Sequence, residues 1–265
     1  MKNIPHDFYL KFLDQKVYDD TLNFHTKGNF TTHECVRNIS CLHNFQPQLL
    51  GDLTGNELQL YPDMDITLEE HALENLSIES PLHRDHSCDF FDGTTVDFEL
   101  IKQVVKPLLT KSTNSSKRGY PSAGALYPVE VFCCSLSSSN IWPCPEKVLH
   151  LLPSSRKFEI LQGSQETNLL MEAILPTGNS VGNPSHAIIY MMYLPKTLFK
   201  YRYRGYRLAL METGSMYMLV DLQCKAIKLK SRPWSGYTDN MVCRALSLNP
   251  TLFYPSCIQL IGGKK

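Results

Sequence analysis

The sequence predicts an α+β fold in which a central, mostly antiparallel sheet is flanked by helices. Three short strand-like runs, 129–136, 147–152 and 157–161, are separated by proline-containing turns, a pattern typical of an antiparallel meander. Residues 185–194 are continuously apolar and predict a strand buried at the centre of the sheet. A helix predicted over 203–227 carries apolar residues on all sides, which indicates burial within the protein or between subunits.

The first part of the chain is less regular. Residues 1–80 mix short amphipathic pieces with polar interruptions, and the clearest of these pieces are 34–44 and 67–78. We therefore predict a small helical or mixed N-terminal appendage over 1–80. Residues 81–265 then form the main domain.

Further helices are predicted around the sheet. The helix over 97–109 places its apolar side chains on one face. Shorter helices are predicted over 167–175 and 238–248. A polar, serine-rich segment, 111–117, follows the first of these helices and is expected to be a mobile linker.

Composition excludes several classes of function. The 265 residues are 43% hydrophobic, which is enough to bury a substantial core. Lys and Arg together number 26, as do Asp and Glu, so no overall basic field is available to hold nucleic acid. The longest clear apolar run, 187–194, is far too short to span a bilayer, and the N-terminus has no apolar core of signal-peptide length. We predict a cytoplasmic protein that binds neither nucleic acid nor membrane.

The cysteines and histidines do not form a recognisable metal or disulfide pattern. The nine cysteines are odd in number and include no Cys-x-x-Cys pair. Cys133 and Cys134 are adjacent in a predicted strand, so their side chains should lie on opposite faces of the sheet as small apolar groups. His83 and His86 have the closest spacing to a ligand pair, but nearby residues do not complete a zinc site. We therefore predict no metal.

A cationic, tyrosine-rich segment begins at residue 200 and leads into the long predicted helix. It reads Lys-Tyr-Arg-Tyr-Arg-Gly-Tyr-Arg. Lys200 is crowded in sequence by Arg202, Arg204 and Arg207, and like charge together with desolvation would favour its neutral form. A neutral lysine can act as a general base. The alternative is a solvated basic helix face.

A second motif occupies residues 118–132 and reads Arg-Gly-Tyr-Pro-Ser-Ala-Gly-Ala-Leu-Tyr-Pro-Val-Glu-Val-Phe. Pro121 and Pro128 restrict the backbone at either end, and Gly124 permits unusual dihedral angles without adding a side chain. We predict a loop whose backbone closely approaches a flat ligand. The alternative is a plain turn leading into a strand. The motif is neither a phosphate loop nor a dinucleotide fingerprint.

The two motifs, in this order, resemble the SagB-type, McbC-like flavin dehydrogenases of azole-forming peptide biosynthesis, and most of all the microcin-type members. The resemblance covers residues 117–240, with a further echo in 24–30, Phe-His-Thr-Lys-Gly-Asn-Phe. It implies an FMN-dependent enzyme of the nitroreductase fold that oxidises peptide thiazolines and oxazolines to thiazoles and oxazoles. It also implies a homodimer that works beside a cyclodehydratase, the enzyme that makes the azoline-containing precursor peptide of a ribosomally made antibiotic.

The resemblance implies catalytic roles for two residues. The family's Lys-Tyr base pair matches Lys200 and Tyr201. Lys200 would take the proton lost from the ring or position the imine nitrogen, and Tyr201 would relay or stabilise charge. The alternative is that Tyr201, Tyr203 and Tyr206 are packing aromatics whose hydroxyls point into solvent.

The resemblance also implies which residues contact FMN. Backbone amides of the loop would meet the polar edge of the flavin at Tyr120, Pro121, Ser122, Ala123 and Gly124. The phosphate would be held by Arg84, which here lies in Leu-His-Arg-Asp-His-Ser instead of beside a second arginine, and by Arg232. Related chains often carry Gln-Asn after the tyrosine at 217, where this chain has Met218 and Leu219, so one polar flavin contact is absent or replaced.

Two other functions stay open from the sequence. One is a nitroreductase-like flavoenzyme that consumes NAD(P)H and acts on small electrophiles, for which a nicotinamide cofactor would reduce the flavin. The other is a flavin-free assembly subunit, which would be colourless. The intact Lys200 and Tyr201 argue against a subunit without catalysis, because a scaffold does not need a base.

Overall fold

A computed structural model describes residues 7–29, 31, 46–49, 80–112, 117–137, 142–144, 147–161, 167–176 and 179–263. The chain divides into two compact units. One comprises residues 1–30 and 84–265, and the other comprises residues 31–83.

Some predictions fall on parts of the chain that the structure does not describe. The amphipathic pieces 34–44 and 67–78 lie outside the described residues, as does the centre of the serine-rich segment 111–117. The appendage over 1–80 therefore stays a prediction. Residues 15–26, however, form a helix that is grouped with the larger unit.

The larger unit is built on an antiparallel sheet of six strands in the order β4-β3-β2-β6-β8-β7. A separate parallel pair joins β1 and β5. The strands are β1 Phe91–Asp92, β2 Val129–Ser135, β3 Leu149–Leu152, β4 Lys157–Ile160, β5 Gly182–Asn183, β6 His186–Tyr193, β7 Lys230–Trp234 and β8 Phe253–Gly262. The predicted meander, β2 to β4, is confirmed.

The strand β6 lies at the centre of this sheet. All eight of its residues are buried, and it pairs with β2 on one side and β8 on the other. A continuously apolar strand is stable only where both faces of the sheet are covered. The central position predicted for residues 185–194 is confirmed.

Helices cover both faces of the sheet. They are α1 Gln15–Thr26, α2 Phe98–Val105, α3 Thr167–Ile174, α4 Pro195–Tyr201, α5 Arg204–Ala226 and α6 Asp239–Ala245. Residues of α2 and α5 pack into one apolar core, and residues of α3 and α6 pack into another. Cys133 belongs to the first core and Cys134 to the second, which confirms their predicted positions on opposite faces.

The long helix α5 is buried on one side only within the single chain. Its buried positions include Ala209, Met216 and Val220, which recur at the spacing of one helical face. On the opposite side Leu210, Met211 and Met218 are exposed, and Met211 is 68% exposed. The predicted burial of this helix on all sides would therefore require a second subunit.

None of the helices in the described ranges has the length and apolar character needed to cross a membrane. Across the same ranges, Cys, His, Asp and Glu side chains do not gather in any group of three or more that could hold a metal ion.

Candidate active site

The corner between α4 and α5 positions the predicted Lys-Tyr pair. Pro195 occupies the first turn of α4, where its missing N–H costs nothing. The helix ends at Arg202, which has a φ of 49°. Gly205 then passes so close to α4 that a Cβ on it would lie 2.9 Å from the Thr197 carbonyl oxygen. The chain turns sharply here, and Lys200 occupies the last turn of α4.

The second motif forms a strained loop before β2. Its centre is a short 3-10 turn, Ala123–Ala125. Gly124, Ala125 and Tyr127 all have φ between 51° and 61°, a region that residues with a side chain rarely adopt. Each such residue other than glycine costs about 1–3 kcal/mol and persists only where the surroundings enforce it. The alternative of a plain turn therefore does not describe this segment, whose shape depends on three residues at positive φ.

Hydrogen bonds and ring contacts within the loop enforce this shape. The Arg118 backbone N–H donates to the Tyr127 hydroxyl over 3.1 Å, and the Arg118 guanidinium lies 4.2 Å from the centre of the Tyr127 ring. Arg118 Nη1 also donates to the Tyr120 hydroxyl over 2.8 Å. The Tyr127 N–H donates to Ser122 Oγ over 2.8 Å. The side chains of Tyr120 and Ser122 therefore serve the loop itself, while Pro121 and Gly124 are exposed at its crest.

The two sequence motifs meet at Gly124. A Cβ built on Gly124 would lie 2.7 Å from Tyr201 Oη and 2.8 Å from Lys200 Nζ. Lys200 Nζ in turn lies 5.2 Å from the centre of the Tyr201 ring. Two polar side-chain ends thus lie directly against backbone that carries no side chain, in segments almost eighty residues apart in sequence.

The expected crowding and desolvation of Lys200 is wrong for the single chain. Lys200 is exposed, as are Arg204 and Arg207. The Arg202 guanidinium is directed to Asp14, the N-cap residue of α1, with Nη1 3.0 Å from the Asp14 carboxylate. The physical reason is the tight corner, which directs these side chains into solvent or towards α1.

The three neighbouring tyrosines have different contacts: Tyr203 and Tyr206 contact α1, and Tyr201 contacts the loop. The Tyr203 hydroxyl donates to Asp20 over 2.6 Å, and the Tyr206 hydroxyl lies 3.1 Å from His25 Nδ1, so both are held by α1. Tyr201 is half-buried, and its hydroxyl faces the loop. The alternative of packing aromatics with solvent-directed hydroxyls therefore describes none of the three, because each hydroxyl faces a side chain of α1 or the loop.

Arg84 and Arg232, the predicted phosphate ligands, both lie near β7, but only Arg84 lines the cleft beside it. Arg84 Nε is 2.6 Å from the Asp221 carboxylate, and Ser231 Oγ donates to the same carboxylate. Arg232 Nη1 donates to the Cys88 carbonyl oxygen over 2.9 Å. Beside them is a cleft of about 470 Å³, lined by Arg84, Asp85, His86, Cys88, Asp89, Phe90, Asp221, Leu222, Lys225, Leu229, Lys230 and Ser231.

The arginine cleft and the loop lie on different sides of α5 in the single chain. The loop contacts α5 at Glu212, where the Val129 N–H lies 3.4 Å from the Glu212 carboxylate. The cleft contacts α5 at Asp221. The loop also contacts α5 at Leu219, whose Cδ2 would lie 3.5 Å from a Cβ on Gly119. Asp221 lies about half a turn around the helix from both Glu212 and Leu219, so the cleft and the loop lie on different sides of it.

Met218 and Leu219, which stand where related chains carry Gln-Asn, lie in different surroundings. Leu219 packs beside the loop, where its Cδ2 would lie 3.5 Å from a Cβ on Gly119. Met218 is exposed. Neither side chain supplies a hydrogen bond, so any polar contact at this place must come from other groups.

Comparison with known proteins decides the family. No protein-family model matches the chain. A curated protein of Escherichia coli, the Microcin B17-processing protein McbC, is 32% identical to it over 253 residues, which are 95% of this chain and 92% of that protein. The chain belongs to the McbC family. The resemblance drawn from the two motifs is thereby confirmed.

Solved structures agree with this assignment. A chain from the E. coli Microcin synthetase McbBCD complex with truncated pro-MccB17 bound matches at 32% identity and a TM-score of 0.86, over 99% of this chain and 98% of that one. Putative nitroreductases from Ralstonia eutropha and Anabaena variabilis each match at a TM-score of 0.55. The first is 14% identical over 70% of this chain and 81% of its own, and the second is 17% identical over 69% and 37%. The predicted nitroreductase-like α+β fold of this McbC-family chain is confirmed.

Proposed function

We propose that this McbC-family chain is an FMN-dependent oxidoreductase that dehydrogenates thiazolines and oxazolines of a precursor peptide to thiazoles and oxazoles. The observation that carries the proposal is the meeting of Lys200 and Tyr201 with the loop at Gly124. This contact places a candidate base beside backbone that a flat ring could approach. The E. coli relative is named as a microcin-processing protein, which supports a peptide substrate.

The residues present fit FMN. The loop crest at Gly124 has no side chain, and a Cβ there would occupy the space next to the Lys-Tyr pair. Ser122 and Tyr120 would contribute backbone groups, because their side chains are already hydrogen-bonded within the loop. Arg84, in the cleft beside β7, and Arg232, on β7 itself, would hold the phosphate. When bound, FMN would supply the hydride acceptor of the reaction.

The chain's own residues supply the proton chemistry. Lys200 Nζ would take the proton from the ring carbon that was the amino-acid α carbon, and Tyr201 Oη would stabilise the charge that develops. A lysine acts as a base only when neutral, and removal of water from its ammonium group favours that form. Because Lys200 is exposed in the single chain, the desolvation must come from the bound peptide or from a second subunit.

A homodimer would complete the site. The loop and the arginine cleft lie on opposite sides of α5, and that helix exposes Leu210, Met211 and Met218. Exposed apolar residues on one helix face are typical of a subunit interface. A two-fold pair could bring the loop of one protomer towards the cleft of its partner. A monomeric mass in solution would contradict this arrangement.

The proposed partners are an azoline-containing precursor peptide and a cyclodehydratase that forms its rings. The support is the solved E. coli McbBCD complex with truncated pro-MccB17 bound, one chain of which matches this chain. We place this proposed complex in the cytoplasm, where the precursor peptide would be synthesised.

The absorption spectrum of the purified chain under anaerobic conditions tests the proposal. A flavin spectrum that bleaches when an azoline peptide is added, with a loss of two hydrogens per ring, would support the dehydrogenase. Bleaching by NAD(P)H but not by the peptide would instead support the nitroreductase-like enzyme. A chain that binds no flavin after incubation with FMN would support the scaffold.

A further inference from the structure

Glu212 is a buried carboxyl group beneath the loop that the chemistry proposed above does not use. It lies on α5, and its residue is 3% exposed. Little in the sequence indicates a role for it, since it is a single acidic residue at the end of the apolar run Leu-Ala-Leu-Met. A buried carboxyl group is costly unless its oxygens are hydrogen-bonded, so its partners indicate why it is there.

The partners of Glu212 are the two ends of the strained part of the loop. The Ser122 hydroxyl hydrogen-bonds to the Glu212 carboxyl group at the start. The Val129 N–H lies 3.4 Å from Glu212 Oε1 at the end, where β2 begins. Ser122 Oγ also accepts the Tyr127 N–H. One side chain therefore connects α5 to both sides of the turn whose crest contacts Lys200 and Tyr201.

We propose that Glu212 is a positioning residue that keeps the 118–127 loop in its left-handed conformation, with Gly124 against Lys200 and Tyr201. The loop contains Ala125 and Tyr127 at positive φ, and without an acceptor in this place both would relax towards ordinary dihedral angles. Both bonds need only an oxygen that accepts, so a neutral carboxyl or amide group serves as well as a carboxylate. The functional meaning of this role depends on the flavin site proposed above, but the loop conformation does not.

The surroundings of Glu212 shift its pKa, so the stability of the loop conformation should depend on pH. Burial raises the pKa of Glu212 to about 7, although the Ser122 and Val129 hydrogen bonds and the charges of Arg118 and Lys196 oppose the rise. Tyr120 is the other titratable group that faces it. Lys196 is shared with Glu130, whose carboxylate lies 3.1 Å from Lys196 Nζ.

The sign of the pH effect follows from linkage. Opening of the loop lets water reach the carboxyl group and returns its pKa towards the ordinary 4.5. The open loop therefore binds fewer protons than the closed loop between about pH 4.5 and pH 7. The closed conformation therefore becomes less stable relative to the open one, and its population falls, as the pH rises through this range.

Amide hydrogen exchange of the full chain, without flavin or peptide, tests the proposal. With rates corrected for the intrinsic effect of pH, wild-type protection of the 118–127 amides should fall from pH 5 to pH 8. Glu212→Gln should keep the protection and lose the pH dependence. Glu212→Ala should raise exchange there about tenfold or more, because two hydrogen-bond donors lose their acceptor. Thr213→Val is the matched control, since Thr213 is also buried but bonds to Ala209 and Ser256 instead of the loop.

Unchanged exchange of the loop in Glu212→Ala, or the same pH dependence in Glu212→Gln as in the wild type, would overturn the proposal. If Glu212→Ala does not fold, the comparison of wild type with Glu212→Gln still decides. FMN titration of the same proteins by fluorescence separates the two proposals. A wild-type chain that binds no FMN would refute the proposed function. The exchange data would still test the role of Glu212 in the loop conformation, because they do not depend on FMN.

Discussion

Replacement of Gly124 by alanine would add one methyl group at the point where the two motifs meet. Its Cβ would lie 2.7 Å from Tyr201 Oη and 2.8 Å from Lys200 Nζ, whereas ordinary contacts begin at 3.4 Å. These atoms are the ends of flexible side chains, so they can move away by roughly 0.6 Å at little cost to folding. The stability cost comes from the backbone instead, because alanine at a φ of 61° costs about 1–2 kcal/mol.

The effect on activity should exceed the effect on stability. A displacement of catalytic atoms by a sizeable part of an ångström costs roughly 10-fold to 100-fold in rate. We therefore expect Gly124→Ala to fold, to lose only about 1–2 kcal/mol in denaturant unfolding, and to oxidise azoline peptide at least about tenfold more slowly. Unfolding is followed by circular dichroism, and azole formation by peptide mass.

Gly93→Ala is the matched control. Gly93 also has a positive φ, 84°, but a Cβ there would meet only the Asn183 Cβ, at 3.7 Å. This variant pays a similar backbone cost without touching Lys200 or Tyr201, so its oxidation rate should equal that of the wild type. Full activity of Gly124→Ala, or an equal loss in both variants, would refute the argument that this contact positions the catalytic pair.

Two further perturbations test the cleft and the charge balance of the sheet. Arg232→Ala should weaken FMN binding about tenfold with little effect on folding. Arg84→Ala should weaken FMN binding and also lower the free energy of unfolding by about 1–3 kcal/mol, because Asp221 loses its 2.6 Å partner. FMN titration and denaturant unfolding measure these effects, and unchanged FMN affinity in both variants would contradict the phosphate assignment. Burial opposes protonation of His150, but two neighbouring glutamates outweigh it and raise its pKa above 6.5. Its stabilising contribution is therefore complete below about pH 6.5 and is lost as the pH rises through the raised value, so the free energy of unfolding should fall less with rising pH in His150→Gln than in the wild type.

The parts of the fold that the sequence predicted are those whose signal is local. The continuously apolar run that becomes β6 and the turn-separated runs of the meander needed no distant information. The last strand, β8, was missed. Pro255 and Ser256 interrupt its apolar pattern, and the sheet accommodates the proline at a register shift opposite Met191. A proline normally argues against a central strand, so the local signal was misleading here.

The motifs propose the residues of the site, but the sequence does not indicate what supports them. Nothing local indicates that Asp14, the N-cap of α1, and Asp20 of α1 hold the corner through Arg202 and Tyr203. These pairs join residues more than 180 positions apart in sequence. The exposure of Lys200 also could not be predicted, because the sequence of charged residues does not show that the corner turns these side chains outward.

The most direct test of the central claim is the anaerobic rate of flavin reduction by an azoline peptide, measured in the wild type and in Lys200→Ala at equal flavin content. Lys102→Ala, which removes an exposed lysine from α2, is the control. We expect Lys200→Ala to bind FMN normally and to show no measurable peptide-dependent bleaching, while Lys102→Ala behaves as the wild type. Bleaching of Lys200→Ala at the wild-type rate would contradict the assignment of Lys200 as the base and, with it, the active site proposed for this chain.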